Sequence, residues 1–76
     1  MMTKNIVLNG IYENKQGQQR QIIAEGPQYV LYSSQMETDN IRYRVIRRSK
    51  LSKQTVGTEG NMTRSSFAAW AARRLQ

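Results

Sequence analysis

Only one segment of the chain has the pattern of an α-helix, and it is the last one. Residues 64–75 contain four alanines and neither glycine nor proline, a composition that favours a helix. Its apolar side chains recur at helical spacing and share one stripe: Phe67, Trp70, Ala71 and Leu75. Because an isolated helix of about twelve residues is marginal in water, this stripe has to pack on another element.

Both ends of this helix carry the residues that helix ends favour. Thr63 precedes it and can accept a hydrogen bond from a backbone N–H of the first turn. Arg73 and Arg74 fall in the predicted last turn, where cations interact favourably with the helix dipole. The sequence therefore predicts a helix from Arg64 to Leu75.

The remaining chain has the pattern of short strands divided by turns. Between Ile41 and Val45, apolar side chains alternate with Arg42 and Arg44, which is typical of a strand with one buried face. Gly17 can adopt a positive φ in a turn before the next strand. Strands are predicted over residues 10–14, 20–25, 28–33, 41–45 and 56–62. The segment from Arg47 to Gln54, with four cations and no acid, is predicted to be a mobile loop.

Several short strands followed by one helix predict a mainly β fold with one C-terminal α-helix. The expected architecture is a small, strongly bent antiparallel sheet or SH3-like barrel capped by the helix. A five-stranded oligonucleotide-binding barrel ranks second, because that fold usually needs more residues. A chain of 76 residues is one small basic domain, 1–76, with a thin core, since it buries only about 60% of its unfolded surface.

The charge of the chain is divided steeply along its length. Residues 41–76 hold nine Lys and Arg against one acid, Glu59, whereas residues 1–40 hold three cations against four acids. Such a field attracts a polyanionic or acidic partner. The leading prediction is a nucleic-acid-binding module, for DNA or RNA. The runner-up is an inhibitor or adaptor that docks on an acidic host protein, and self-association to a homo-oligomer is compatible with either function.

The candidate nucleic-acid-binding residues come from the polar face of the strand predicted at residues 41–45, from the basic loop at residues 47–54 and from the helix. They are expected to form one continuous patch: Arg42, Arg44, Arg47, Arg48, Lys50, Lys53, Arg64 and Arg73, with Arg74 beside them. The alternative is that these cations only solvate a small domain, because a run of charge is weak evidence by itself. Exposed tyrosines could add stacking surfaces for unpaired bases, although two or three of Tyr12, Tyr29, Tyr32 and Tyr43 are expected to fill the core.

Catalysis, metal binding and membrane insertion are not expected. The chain has no His and no Cys, which removes the usual bases, nucleophiles and zinc ligands as well as any disulfide. The five acids are too scattered for a calcium loop. We therefore expect no enzyme activity, no cofactor and no metal. No stretch approaches the roughly 18 apolar residues of a membrane span, and we expect a cytoplasmic protein.

Two segments carry a resemblance to a class of short phage- and prophage-encoded proteins. The first is Gly10-Ile11-Tyr12-Glu13-Asn14-Lys15, and the second runs from Met62-Thr63-Arg64 through Phe67-Ala68 to Trp70-Ala71. The chain resembles that class in its Gly-x-Tyr-Glu-Asn-Lys start, its basic β-rich middle and its Met-Thr-Arg-x-x-Phe-Ala-x-Trp-Ala end. The resemblance implies a phage or mobile-element origin and carries no catalytic residues.

Overall fold

The computed structural model describes all 76 residues, which form five strands, one α-helix and a short 3-10 turn. In chain order the elements are a 3-10 helix at Thr3–Asn5, β1 at Ile11–Glu13, β2 at Gln19–Glu25, β3 at Asn40–Arg47, β4 at Glu59–Thr63, α1 at Arg64–Trp70 and β5 at Arg73–Arg74. The prediction of a mainly β fold with one C-terminal helix is confirmed. No helix of the structure is long and apolar enough to cross a bilayer.

The five strands form one antiparallel sheet in the order β4-β3-β2-β1-β5. β4 and β5 are its two edges, so the sheet is open, and closure into an SH3-like barrel stays a prediction. The β2–β3 pairing is irregular at two places, between Gln19 and Arg20 and between Ile22 and Ala24. Such bulges bend a strand and increase its local twist, so the longest pairing of the sheet is not flat.

A tight turn joins β1 to β2, as predicted. The Asn14 side-chain oxygen accepts hydrogen bonds from the backbone N–H groups of Gln16 and Gln18, and the Asn14 backbone N–H donates to the Gln18 carbonyl. Gly17 has a φ of 88°, a conformation that glycine adopts without steric cost. The turn is therefore fixed by local chemistry, and it holds Lys15 beside the end of the sheet.

The core lies between one face of the sheet and α1. Ile41, Tyr43 and Val45 of β3 are buried, as their alternation predicts, and Phe67 of α1 has no exposed surface. The Phe67 ring lies 5.4 Å from the ring of Tyr12, with an edge-to-face orientation, and such aromatic pairs add to the effect of burial. The full core set is Ile6, Tyr12, Ile22, Ile41, Tyr43, Val45, Phe67, Ala68 and Ala71.

The predicted helix begins at the expected residue but ends early. The Thr63 hydroxyl accepts a hydrogen bond from the Ser66 backbone N–H, which confirms the cap. α1 stops at Trp70 because the chain becomes extended at Ala71 and Arg73–Arg74 pairs with β1. The expectation that Arg73 and Arg74 occupy the last helical turn is wrong, because the free edge of β1 takes these residues as a strand.

The strand predicted over residues 28–33 is absent. No strand lies between Glu25 and Asn40, so residues 28–33 do not pair with the open edge of β4. Side chains organise this connection instead: Gln35 accepts from the Leu31 backbone N–H and donates to the buried Asn40 amide oxygen, and the Asn61 side chain of β4 donates to the Val30 carbonyl. High β-propensity alone therefore does not make a strand of this segment.

Candidate anion-binding site

Four of the arginines are neutralised by ion pairs. Arg42, Arg44, Arg64 and Arg73 pair with four of the five carboxylates of the chain, those of Glu13, Glu25, Asp39 and Glu59. All four belong to the predicted nucleic-acid-binding set. These four arginines are therefore not free cations, because carboxylates distant in sequence reach each one, and their part in binding nucleic acid stays a prediction.

Glu59 on β4 forms ion pairs with two arginines on the neighbouring strand β3. Its Oε1 lies 3.2 Å from Arg42 Nε, and its Oε2 lies 2.6 Å from an Arg44 nitrogen. The hydrogen bond from Arg44, followed by that from Arg42, holds the pKa of Glu59 below its ordinary value against the effect of desolvation. The side chains of both arginines thus point away from the core, as their alternation with apolar residues predicts, and both contact the Glu59 carboxylate.

Arg64 and Arg73 are held at other places on the molecule. Arg64, half-buried at the start of α1, bridges Glu25 at 2.6 Å and Asp39 at 2.8 Å. Burial opposes its charge, but the hydrogen bonds to Asp39 and Glu25 raise the pKa of Arg64 overall. Arg73 on β5 donates to Glu13 on β1, 2.8 Å from its Nε. Arg64 therefore links the start of α1 to the end of β2, and Arg73 links β5 to β1.

A groove of about 570 Å³ gathers four of the eight cations that have no such partner. Lys15, Arg47, Arg48 and Lys50 line it and are all exposed, and we call these four residues the basic groove. No carboxylate lines it; the remaining lining residues are Gln16, Gly17, Ser49 and Leu51. Four positive charges therefore face one concave surface and none of them forms an ion pair, although the charge of Arg47 helps to lower the pKa of Glu13.

Two parts of the fold bring these cations together. The turn after β1 carries Lys15, and the end of β3 carries Arg47, which is directly opposite Gln19 on β2. Gln19 in turn faces Glu13 on β1, so the β1–β2 turn lies beside the end of β3. After β3 the chain turns, with Arg48 Nε donating to the Ser52 carbonyl at 3.2 Å.

The structure separates the predicted site residues into two groups. It brings Arg47, Arg48 and Lys50 together in the basic groove, whereas Lys53 is exposed and has no ion pair but does not line the groove. Lys15 was missed by sequence reasoning because it belongs to the nearly neutral half of the chain. The hairpin register between β1 and β2 is the signal that could have found it.

Tyrosines do not contribute a stacking surface to the groove, since no aromatic side chain lines it. Tyr12 and Tyr43 are buried, which confirms that at least two tyrosines fill the core. Tyr32 is 62% exposed, but it lies in the connection between β2 and β3. The groove therefore presents its four cations together with Gln16, Ser49 and Leu51.

A second groove of about 370 Å³ has mixed charge. Lys4 and Arg64 line it together with Glu25 and Asp39, and Arg64 already pairs with both carboxylates. The structure brings no three carboxylates together anywhere in the chain. The absence of a metal and of enzyme activity stays a prediction.

Comparison of the chain with protein-family models, with curated proteins and with solved structures gave no match.

The ion pairs of Glu13 and Glu59 predict a loss of stability in acid. The pKa of Glu13 is lowered by hydrogen bonds from Gln19 and Arg73, and that of Glu59 by Arg44 and Arg42, from an ordinary value of 4.5. A carboxylate with a lowered folded pKa contributes stability above its unfolded pKa, and this contribution is lost as the pH falls through the folded pKa. We expect a constant melting temperature from neutral pH to about pH 5.5 and a fall below about pH 4.5.

Calorimetry or circular dichroism across this pH range measures the effect. The variant Glu13→Gln/Glu59→Gln should show a shallower fall, whereas Glu37→Gln, which removes a carboxylate without an ion pair, should retain the fall of the native chain. Equal slopes in both variants would contradict the assignment.

Proposed function

We propose that the chain is a nucleic-acid-binding module that contacts phosphates through the basic groove. The observation that carries this proposal is the distribution of the counter-ions. Four of five carboxylates form ion pairs with other arginines, while Lys15, Arg47, Arg48 and Lys50 share one concave surface that no carboxylate lines. Keeping like charges close together without a counter-ion is unfavourable in the free protein, and an anion in the groove relieves that repulsion.

The chemistry of the groove suits phosphodiesters. Arg47 and Arg48 offer planar guanidinium groups that can form paired hydrogen bonds with phosphate oxygens, while Lys15 and Lys50 act as point charges. Contacts to phosphate position a protein on nucleic acid without reading its sequence. Because no aromatic ring lines the groove, stacking on unpaired bases has no part in the proposal.

The proposal is tested with the double variant Arg47→Ser/Arg48→Ser. Each arginine is expected to contribute a charge-assisted hydrogen bond worth about 1.5 to 3 kcal/mol. Affinity for a short DNA duplex and for a short RNA, measured by fluorescence anisotropy at low salt, should therefore fall by about 100-fold or more.

A matched control is available on the same strand. Arg42→Ser/Arg44→Ser also removes two arginines, both on β3 like Arg47, but these are paired with Glu59. Its affinity should stay within about threefold of the native value, since exposed ion pairs affect the fold little. An equal loss in both variants would show that net charge, and not the groove, governs binding.

The same cations also suit the carboxylates of an acidic protein, the alternative that the sequence left open. Recovery of partners from a lysate with and without nuclease separates the two. Partners that disappear after nuclease support the proposal, and a partner that persists and is lost in Arg47→Ser/Arg48→Ser supports the alternative. The SH3-like barrel, the phage origin, the cytoplasmic location and homo-oligomer formation stay predictions.

A further inference from the structure

One cation of the chain is buried and has no carboxylate partner. Arg20 on β2 is only 8% exposed, and its guanidinium carbon lies 4.2 Å from the ring centre of Tyr43 and 4.3 Å from that of Trp70. Its Nε is buried without any hydrogen-bond partner, and burial lowers the pKa of this guanidinium. Burying an unpaired charge is costly even between two aromatic faces.

The shortest hydrogen bond of Arg20 goes to the basic segment, residues 48–54; a longer one, 3.3 Å, goes to Met62 Sδ. Arg20 Nη2 donates to Gln54 Oε1 at 2.7 Å, and Gln54 Nε2 donates to the Tyr43 hydroxyl at 3.0 Å. Gln18, which is 2% exposed, donates to the Ser52 hydroxyl at 2.6 Å. We call these five residues the Arg20 cluster: Gln18, Arg20, Tyr43, Ser52 and Gln54.

The Arg20 cluster fixes the segment that carries the groove cations. The Ser52 hydroxyl also accepts from the Gln54 backbone N–H at 3.1 Å, and the Ser52 carbonyl accepts from Arg48. Lys50 lies two residues before Ser52. The segment predicted to be a mobile loop is thus hydrogen-bonded to the sheet through Ser52 and Gln54. Their partners are two buried side chains, Gln18 in the turn before β2 and Arg20 on β2.

Stability alone does not account for Arg20. Replacing a buried charged group by an apolar side chain of similar size is often neutral or stabilising, and a methionine would pack between Tyr43 and Trp70 as well. What a methionine cannot do is donate to Gln54. A binding surface gains affinity when its side chains are ordered before the ligand arrives.

We propose that Arg20 and Gln54 are positioning residues that hold the basic segment in its phosphate-binding arrangement without contacting the nucleic acid. This inference rests on the proposed function. It assigns the buried cation a role that depends on its hydrogen bond and not on its charge.

The first test uses Gln54→Leu, which changes no charge. Affinity for a short DNA duplex should fall about tenfold, because the segment has to be ordered during binding. The dependence of affinity on salt should keep its native slope, because every groove cation remains. Hydrogen exchange of the backbone amides of residues 48–58 should become faster.

A second variant separates the loss of positioning from a general loss of stability, which Gln54→Leu alone could also cause. Gln54→Leu leaves the Tyr43 hydroxyl without a partner and leaves Arg20 with only Met62 Sδ as a hydrogen-bond acceptor, whereas Arg20→Met/Gln54→Leu removes the charge and its acceptor together, a change that is often nearly neutral for the fold. The double variant should melt within a few degrees of the native protein and still show faster exchange and the tenfold loss. Lys4→Met, which removes one exposed charge away from the groove, controls for the change in net charge and should lose less than about threefold.

The outcomes separate this inference from the proposed function. Faster exchange together with weaker binding in the folded double variant supports positioning. Faster exchange with native affinity, or native exchange, overturns it. The proposed function is overturned separately, by native affinity of Arg47→Ser/Arg48→Ser, in which the Arg20 cluster is intact.

Discussion

Phe67→Ala is expected to unfold the protein at room temperature. The Phe67 side chain has no exposed surface and contacts the rings of Tyr12, Tyr43 and Trp70. Truncation of a buried phenylalanine costs about 3 to 5 kcal/mol, and the core of a domain this small supplies only about 3 to 5 kcal/mol in total. Urea unfolding followed by circular dichroism should therefore show no folded baseline for this variant.

Leu75→Ala is the matched control. In a helix extending to residue 75 Leu75 would share the stripe of Phe67, but in the structure it is 39% exposed and follows β5. Its truncation should cost less than about 0.5 kcal/mol. A cost as large as that of Phe67→Ala would contradict the early end of α1.

The sequence predicted the parts of the fold whose cause is local. The alternation around Tyr43 identifies β3, Gly17 marks the turn after β1, and Thr63 marks the start of α1. In each case the residue type itself favours the local conformation, through burial of alternate side chains, a positive φ or a capping hydroxyl. These elements needed no knowledge of their neighbours.

The parts that were missed depend on contacts between segments that are distant in sequence. Residues 28–33 have strand propensity but form no strand, and side-chain hydrogen bonds with Gln35 and Asn61 hold the segment instead. Arg73 and Arg74 have helix propensity but lie beside β1, where the Leu75 backbone N–H donates to Ile11. Pairing between distant segments outweighs the difference in propensity, which amounts to less than about 1 kcal/mol per residue.

The composition predicts the surplus of positive charge but not which cations lack an ion pair. Like strand pairing, ion pairing depends on partners far along the chain. Arg73 reaches Glu13 across 60 residues, and Arg64 reaches Glu25 across 39. Arg20 was counted only as a charge, because nothing in its neighbourhood of glutamines indicates that it is buried.

Binding of DNA should weaken by about 150-fold when monovalent salt rises from about 50 to 200 mM. Four phosphate contacts release about 3.6 counter-ions from a duplex, so the logarithm of affinity falls with the logarithm of salt at a slope of about −3.6. The count of four comes from the groove residues Lys15, Arg47, Arg48 and Lys50. Anisotropy titrations at several salt concentrations give the slope directly.

The slope distinguishes the groove from a diffuse positive field. Seven cations are exposed and have no ion pair, the four of the groove together with Lys4, Lys53 and Arg74. If all seven contacted phosphates, the slope would be about −6, and the proposal of one groove would be wrong. With the groove as the contact surface, Arg47→Ser/Arg48→Ser should reduce the slope to about −1.8, because two of the four contacts are gone.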